Sequence, residues 1–299
     1  MPQPDQATQI FETQRQRLLR LAYRMLGSMS EAEDIVQDAW LRWQRADRSG
    51  VESPPAFLSR IVTRLCLDVM NSARARHESY FGVWLPEPIA GTSDEPDKDD
   101  LTLTLMMALE RLSPLERATF LLHDVFGVPM DDIAASIERD PAAVRQLAAR
   151  ARKHVQDARP RFPVADDEGE RIAAAFFNAT RTGDVAALRG LLAQDVILQS
   201  DGGGKVIAFR NPIIGLARVL RLYRGLARKF GVQPPDSFRP ARIDGLPGYV
   251  SRDRGDFIQT TALQIENGLI TRVYVTRNPD KLRRVLKALN VPETDATQH

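Results

Sequence analysis

The stretch from Pro129 to Gln156 constrains this chain most, because it reads as a helix, a three-residue turn and a second helix. Residues Met130–Ile137 form the first helix, Glu138-Arg139-Asp140 the turn, and Pro141–Val155 the second helix. Asp140 suits an N-cap, and Pro141 suits the first helical position, where a missing N–H and a fixed φ cost nothing. At about 100° per residue, Val144, Leu147, Ala148, Ala151 and Val155 share one face, while Arg145, Gln146, Ala149, Arg150, Arg152 and Lys153 point the other way. An apolar stripe would seat such a helix on its neighbour and leave long donors free for a DNA groove or its phosphates. Between Arg139 and His154 five cations stand against one acid, Asp140. The pattern alone fits a solvated amphipathic helix in an all-α protein about equally well.

The 299 residues suffice for two or three domains, and apolar and charged fractions of 43% and 27% describe a globular chain. No run approaches the roughly 18 apolar residues of a membrane span, and Met1–Gln9 lacks a signal-peptide core, so a cytoplasmic protein is expected. The single cysteine, Cys66, falls at an apolar helical spacing and reads as a buried thiol. His77, His123, His154 and His299 have no metal-ligand spacing, so neither metal nor cofactor is implied. Residues 1–160 carry 20 Lys and Arg against 24 Asp and Glu, and residues 161–299 carry 21 against 15. The helix-turn-helix half is therefore acidic, with its basicity confined to particular faces. Adhesion of this half to DNA through bulk charge alone would be weak.

Three amphipathic helices are expected before it. The first spans Ile10–Gly27, with Leu18, Leu21, Ala22 and Met25 inward. In the second, Glu31–Trp43, Ser30 and Glu33 pose as a capping box, and Ala32, Ile35, Val36, Ala39, Trp40 and Trp43 form the inward stripe. Its other face shows Asp34, Gln37, Asp38, Leu41 and Arg45, which suits a protein partner better than DNA, although an ordinary solvated face reads equally well. After the polar loop Asp47–Ser53, a third helix spans Ala56–Arg76, with Arg60, Thr63, Arg64, Asn71 and Arg74 outward. Cations and amides without acids are compatible with nucleic-acid contact, although Asp68 sits at the boundary of this face.

The runs Leu18–Ser28 and Ala32–Trp43 resemble region 2 of extracytoplasmic-function sigma factors. Leu112–Phe126 and the following helix-turn-helix are similar to region 4. The resemblance implies that Asp34, Gln37, Asp38 and Leu41 grip core RNA polymerase. It places Asn71, Arg74 and the loop around Arg48–Ser53 near the promoter −10 element, and Arg145, Gln146, Arg150 and Lys153 at the −35 element. The turn departs from the usual pattern in having no glycine.

Between the two blocks, Ser79–Asp100 mixes prolines and the acids of Asp94–Asp100 with Tyr80, Phe81, Trp84 and Leu85. A purely solvated connector has no use for those aromatics, so they are expected to dock on a partner surface. Beyond the acidic Asp166–Glu170, helices at Glu168–Arg181, Asp184–Ala193 and near Gly215–Phe230 are expected. Strands are expected at Val196–Ser200, Lys205–Phe209, Phe238–Ile243, Gly248–Arg252, Asp256–Ile265 and Leu269–Arg277, the last two joined by the hairpin pair Asn267-Gly268. Asp201-Gly-Gly-Gly-Lys205 lacks the spacing of a phosphate loop and reads as a tight turn.

This order of elements resembles a SnoaL-like, nuclear-transport-factor-like cone domain. With Trp84–Pro88, Asp201–Lys205 and Asn278–Leu282 it is similar to the SigJ-type sigma factors that carry such an extension. The resemblance implies a multi-domain chain of two all-α sigma domains followed by an α+β domain. Its divisions would be region 2 at 8–77, a linker at 78–104, region 4 at 105–160, the SnoaL-like domain at 167–280 and a tail at 281–299. It also implies a non-enzymatic specificity subunit, partnered by core polymerase and promoter DNA and regulated in cis. Trp84, Leu85, Pro86, Asp201, Lys205, Asn278, Pro279, Asp280 and Lys281 would be the regulatory residues. The alternative is a DNA-tethered sensor or enzyme acting on a small molecule held by the cone. A tail helix from Pro279 to Leu289 would reach the acids at Asp94–Asp100 through Lys281, Arg283, Arg284 and Lys287.

Overall fold

The computed structural model describes residues 6–78, 80, 82–91, 103–156, 165–231, 238–253 and 257–290. The chain divides into two compact units, one of Met1–Ser79 with Leu105–Arg159, the other of Tyr80–Thr104 with Pro160–His299.

The first unit is helical. Helices α1 (Gln6–Leu26), α2 (Met29–Arg45) and α3 (Pro54–Glu78) pack as a bundle. Gly27, at φ 70°, closes α1 in the left-handed region that favours glycine. Helix α2 begins two residues before its expected start: Ser28, not Ser30, is the N-cap, and its hydroxyl accepts the Glu31 N–H, so Ser30 and Glu33 do not open the helix as a capping box. Ala32, Ile35, Val36, Ala39 and Trp43 are buried, and the Trp43 indole donates to the Ala7 carbonyl at 2.9 Å. In α3, Thr63 is buried rather than outward, because its hydroxyl is satisfied by the Ser59 carbonyl one turn back at 2.8 Å.

Helices α4 (Leu103–Leu109) and α5 (Pro114–Phe120) follow, then a π-turn at Leu121–Val125, α6 (Met130–Ile137) and α7 (Pro141–Gln156). A reciprocal capping box between Ser113 and Glu116 starts α5. The missing turn glycine is replaced by Glu138, which adopts φ 55° and ψ 54° and caps α6. Across this unit, Arg117 is buried and donates to the Met25 carbonyl at 2.7 Å, while Arg17 and Arg24 both stand over the Phe126 ring.

The second unit is a seven-stranded sheet of order β1-β4-β5-β6-β7-β2-β3. Its strands are β1 (Ala90–Gly91), β2 (Leu192–Asp201), β3 (Ile213–Ile214), β4 (Phe238–Ile243), β5 (Leu246–Asp253), β6 (Phe257–Glu266) and β7 (Leu269–Thr276). All neighbours are antiparallel except β2 and β7. Asn267 and Gly268 both take positive φ, as a type I′ hairpin requires; Asp244 and Gly245 do the same between β4 and β5. The expected strand at Lys205–Phe209 is absent, because Gly202–Val206 turns on itself and the chain re-enters the sheet only at β3.

One sheet face packs Val196, Leu198, Tyr249, Leu263, Ile265, Val273 and Val275 against α8 (Asp166–Thr182), α9 (Val185–Leu191) and α10 (Leu216–Phe230). The rings of Phe177, Phe238 and Tyr249 meet there at centroid distances of 4.5 to 5.4 Å. Because strand side chains alternate, Ala262, Gln264 and Tyr274 face the other side. There α11 (Pro279–Ala288) contacts β6, and the Thr104 hydroxyl donates to Gln264 at 3.0 Å.

Candidate functional sites: a linker dock and a basic helix face

The segment Tyr80–Gly91 is fastened to the sheet unit at four points, and Asp201 is the centre of the first. This carboxylate ends β2 with no exposed surface. One oxygen accepts the Tyr80 hydroxyl at 2.6 Å and the Gly203 N–H at 3.0 Å; the other accepts the Leu85 N–H at 2.9 Å and the Lys281 ammonium at 2.7 Å. Lys281 also donates to the Leu85 carbonyl and lies 4.2 Å from the Trp84 ring centroid and 5.2 Å from that of Tyr80. A partly buried ammonium thus gains one carboxylate, one carbonyl and two aromatic faces.

Second, Asn278 caps α11 and donates to the Tyr80 hydroxyl at 3.1 Å. The glycines beside it now have a reason: a Cβ on Gly203 would meet the Asn278 amide at 2.4 Å, and one on Gly202 would strike the Val206 carbonyl oxygen at 2.1 Å. Third, Arg284 approaches the buried Glu87 at 3.4 Å. Fourth, Asp244 accepts the Ile89 N–H on its side chain and exchanges backbone bonds with Ile89 and Leu103, so that β1 extends the sheet edge. Burial of the phenol pushes the Tyr80 pKa up, reinforced by its bond to Asp201.

Every residue of the expected regulatory set lies in this arrangement: Pro86 is buried beside Leu85, Pro279 opens α11, and Lys205 pairs with Asp280. Sequence reasoning missed Glu87 and Asp244. Among the described residues the tail cations Lys281 and Arg284 pair with Asp201 and Glu87, and Arg283 with Asp280. The acids at 94–100, like Phe81, lie outside the described residues.

In the helical unit α7 divides as expected. Val144, Leu147, Ala148, Ala151 and Val155 are buried; Arg145, Gln146, Arg150 and Lys153 are exposed. Arg150 leans on Glu116 at 3.2 Å, and Arg152 is held by Asp124 at 2.6 Å and His123 at 2.9 Å, leaving Arg145 and Lys153 without an acid among the described residues. On α2, Asp34, Gln37, Asp38 and Leu41 are all exposed on one face. Beside them Phe11, Leu19, Val36, Gln37 and Trp40 line a groove of about 380 Å³, with Phe11 and Trp40 rings 4.9 Å apart. Trp40, expected inside, is only half-buried because it forms that wall.

Comparison with known proteins decides what such a chain is. Family models described as Sigma-70 region 2 and Sigma-70, region 4 match residues 10–76 and 102–155. The ECF RNA polymerase sigma factor SigJ of Mycobacterium tuberculosis is 35% identical over 288 residues, covering 91% of each chain. The chain belongs to the ECF RNA polymerase sigma factors. The probable ECF sigma factor SigI of the same organism is 31% identical over 289 residues, covering 94% of this chain and 97% of its own. The crystal structure of M. tuberculosis SigJ superposes with a TM-score of 0.75 at 32% identity, over 92% of this chain and 98% of that one. The sigma factor therefore acts through core RNA polymerase to direct promoter-specific initiation, with two all-α sigma regions followed by an α+β domain.

In this sigma factor the outward face expected of α3 is partly turned inward within the helical unit. Arg64 donates to the Ser136 carbonyl at 3.2 Å and to Glu138 at 2.7 Å, tying α3 to the helix-turn-helix turn. Arg60 lines a cleft with Phe126, Pro129, Asp132 and Ser136. Asn71 is exposed; the Arg74 side chain lies outside the described residues. No described helix is long and apolar enough to cross a membrane.

Proposed function

We propose that this sigma factor is held in a closed state by its own α+β domain, through the Lys281–Asp201–Trp84 dock, and is released to engage polymerase when the dock opens. The observation that carries this reading is that the connector between regions 2 and 4 ends its apolar residues on a buried, fully partnered ion pair rather than in solvent. In the same reading Asp34, Gln37, Asp38 and Leu41 bind core polymerase, Asn71 and Arg74 serve the −10 element, and Arg145, Gln146, Arg150 and Lys153 serve the −35 element. The functional divisions fall at 8–77, 78–104, 105–160, 167–280 and 281–299, and the protein works in the cytoplasm, where polymerase is.

The tie of α3 to the helix-turn-helix turn through Arg64 supports a closed state, because it fastens the helix that carries Asn71 and Arg74 to the turn that precedes the −35 helix α7. A small-molecule ligand for the α+β domain has no part in this account, since the helix-covered face is filled by Phe176, Phe177, Tyr249 and Leu263. Reversing Asp34 and Asp38 to Lys tests the polymerase surface. Neither side chain is buried, so melting is expected to stay unchanged while co-elution with core polymerase is lost. Retained co-elution moves that surface elsewhere.

A further inference from the structure

Helix α10 has no sigma-factor role assigned above, yet it carries the most one-sided charge in the chain. Between Asp201 and Asp236 there is no acid at all, while Lys205, Arg210, Arg218, Arg221, Arg224, Arg228 and Lys229 fall in that interval. Leu216, Val219 and Leu220 of α10 are buried against the sheet, and Arg218, Arg221, Arg224, Arg228 and Lys229 are all exposed. At 100° per residue these five cations occupy one continuous face. Four other cations of this unit, by contrast, have an acid partner: Lys281 has Asp201, Arg284 has Glu87, Lys205 has Asp280 and Arg242 has Asp166. Among the described residues no acid pairs with Arg218, Arg221, Arg224 or Arg228.

Such a face works against the helix that bears it, since like charges at i,i+3 and i,i+4 repel. Four of its five members are arginine, whose planar guanidinium matches phosphate oxygens two at a time. From Arg218 to Arg228 the helix rises about 15 Å, and one DNA strand offers a phosphate about every 3.4 Å of axis, so about four phosphates lie within that reach. We propose that the α10 face is a DNA-backbone contact of the α+β domain, gripping phosphates flanking the promoter elements that the helical regions read. The proposal rests on the promoter-binding reading above and adds a third, sequence-independent contact to it.

The test uses polymerase holoenzyme assembled with the full-length chain, its binding to promoter DNA measured from about 50 to 200 mM salt. Removing two phosphate contacts in Arg221→Gln/Arg228→Gln is expected to lower the slope of log affinity against log salt by about 2, because each contact contributes about 0.9. The preference for promoter over scrambled DNA is expected to stay constant, since phosphates carry no sequence information. Arg221→Lys/Arg228→Lys is expected to restore the slope. An unchanged slope in the Gln variant overturns the proposal, as does a loss of assembly with core polymerase before DNA is added, which would assign the face to an acidic protein surface. Failure of the promoter-binding reading looks different: wild-type holoenzyme would then show no promoter preference, and Arg145→Ala would change nothing.

Discussion

Lys281 and Asp201 are the pair on which the linker closes, and each is expensive to strand. Breaking a buried ion pair by removing one partner typically costs about 3–5 kcal/mol, because the remaining charge is left uncompensated. Asp201→Ala should therefore destabilise the α+β unit by about that amount. Lys281→Met keeps the apolar stem against Trp84 but leaves Asp201 with only neutral donors, so it should cost somewhat less; differential scanning calorimetry of both variants checks the order. Tyr274 supplies a pH signature. Burial pushes its pKa up to about 12, softened by the Arg272 charge, from about 10 in an unfolded chain. A raised folded pKa means that the unfolded state sheds its proton first, so this contribution is intact below pH 10 and falls as pH rises from 10 to 12. The loss should reach about 2–3 kcal/mol, and Tyr274→Phe should remove it from an alkaline denaturation series. Tyr80, raised by burial and by its bond to Asp201, acts in the same direction.

At the scale of elements, periodicity carried most of what could be read. Helix α7 was legible because Pro141 marks its start and its apolar positions recur at helical spacing, and the same spacing separated Arg145 from Val144. The β6–β7 hairpin was legible from Asn267-Gly268. What escaped were elements set by tertiary partners: the two-residue β1 exists because Ile89 and Asp244 bond each other. Likewise 205–209, though apolar, is not a strand because the Gly202–Val206 turn takes its backbone bonds locally. In the dock, the motif residues could be named from the resemblance, but the buried partners Glu87 and Asp244 could not, since nothing local marks a linker acid or a hairpin-turn acid as the partner of a distant segment. Two predictions belong here. Arg145→Ala should lower promoter affinity by about 1–3 kcal/mol if it reads a base, and should instead flatten the salt dependence if it holds a phosphate; filter binding at several salt concentrations distinguishes the two. Glu138 occupies the left-handed region at a cost of about 1 kcal/mol, so Glu138→Gly should relieve that strain while giving up an exposed ion pair with Arg64 worth no more than about 1 kcal/mol. Thermal melting of the helical unit should change little, while the tie between α3 and the turn is loosened.

For the whole molecule, the linker decides how far regions 2 and 4 can separate. Its roughly 25 residues could span about 80 Å if free, at about 3.3 Å per residue. Residues Tyr80–Gly91 and Leu103–Thr104 are instead fastened to the α+β domain. A dock contributing about 3 kcal/mol biases closed over open by about two orders of magnitude, which is the range a regulator needs. The central claim is most directly tested by run-off transcription with purified core polymerase on a promoter template, comparing the wild-type chain with Lys281→Met at equal, sub-saturating concentrations. The account predicts a rise of about tenfold or more in the variant, as opening becomes easier. Equal transcript from both proteins, with equal polymerase affinity, would contradict it.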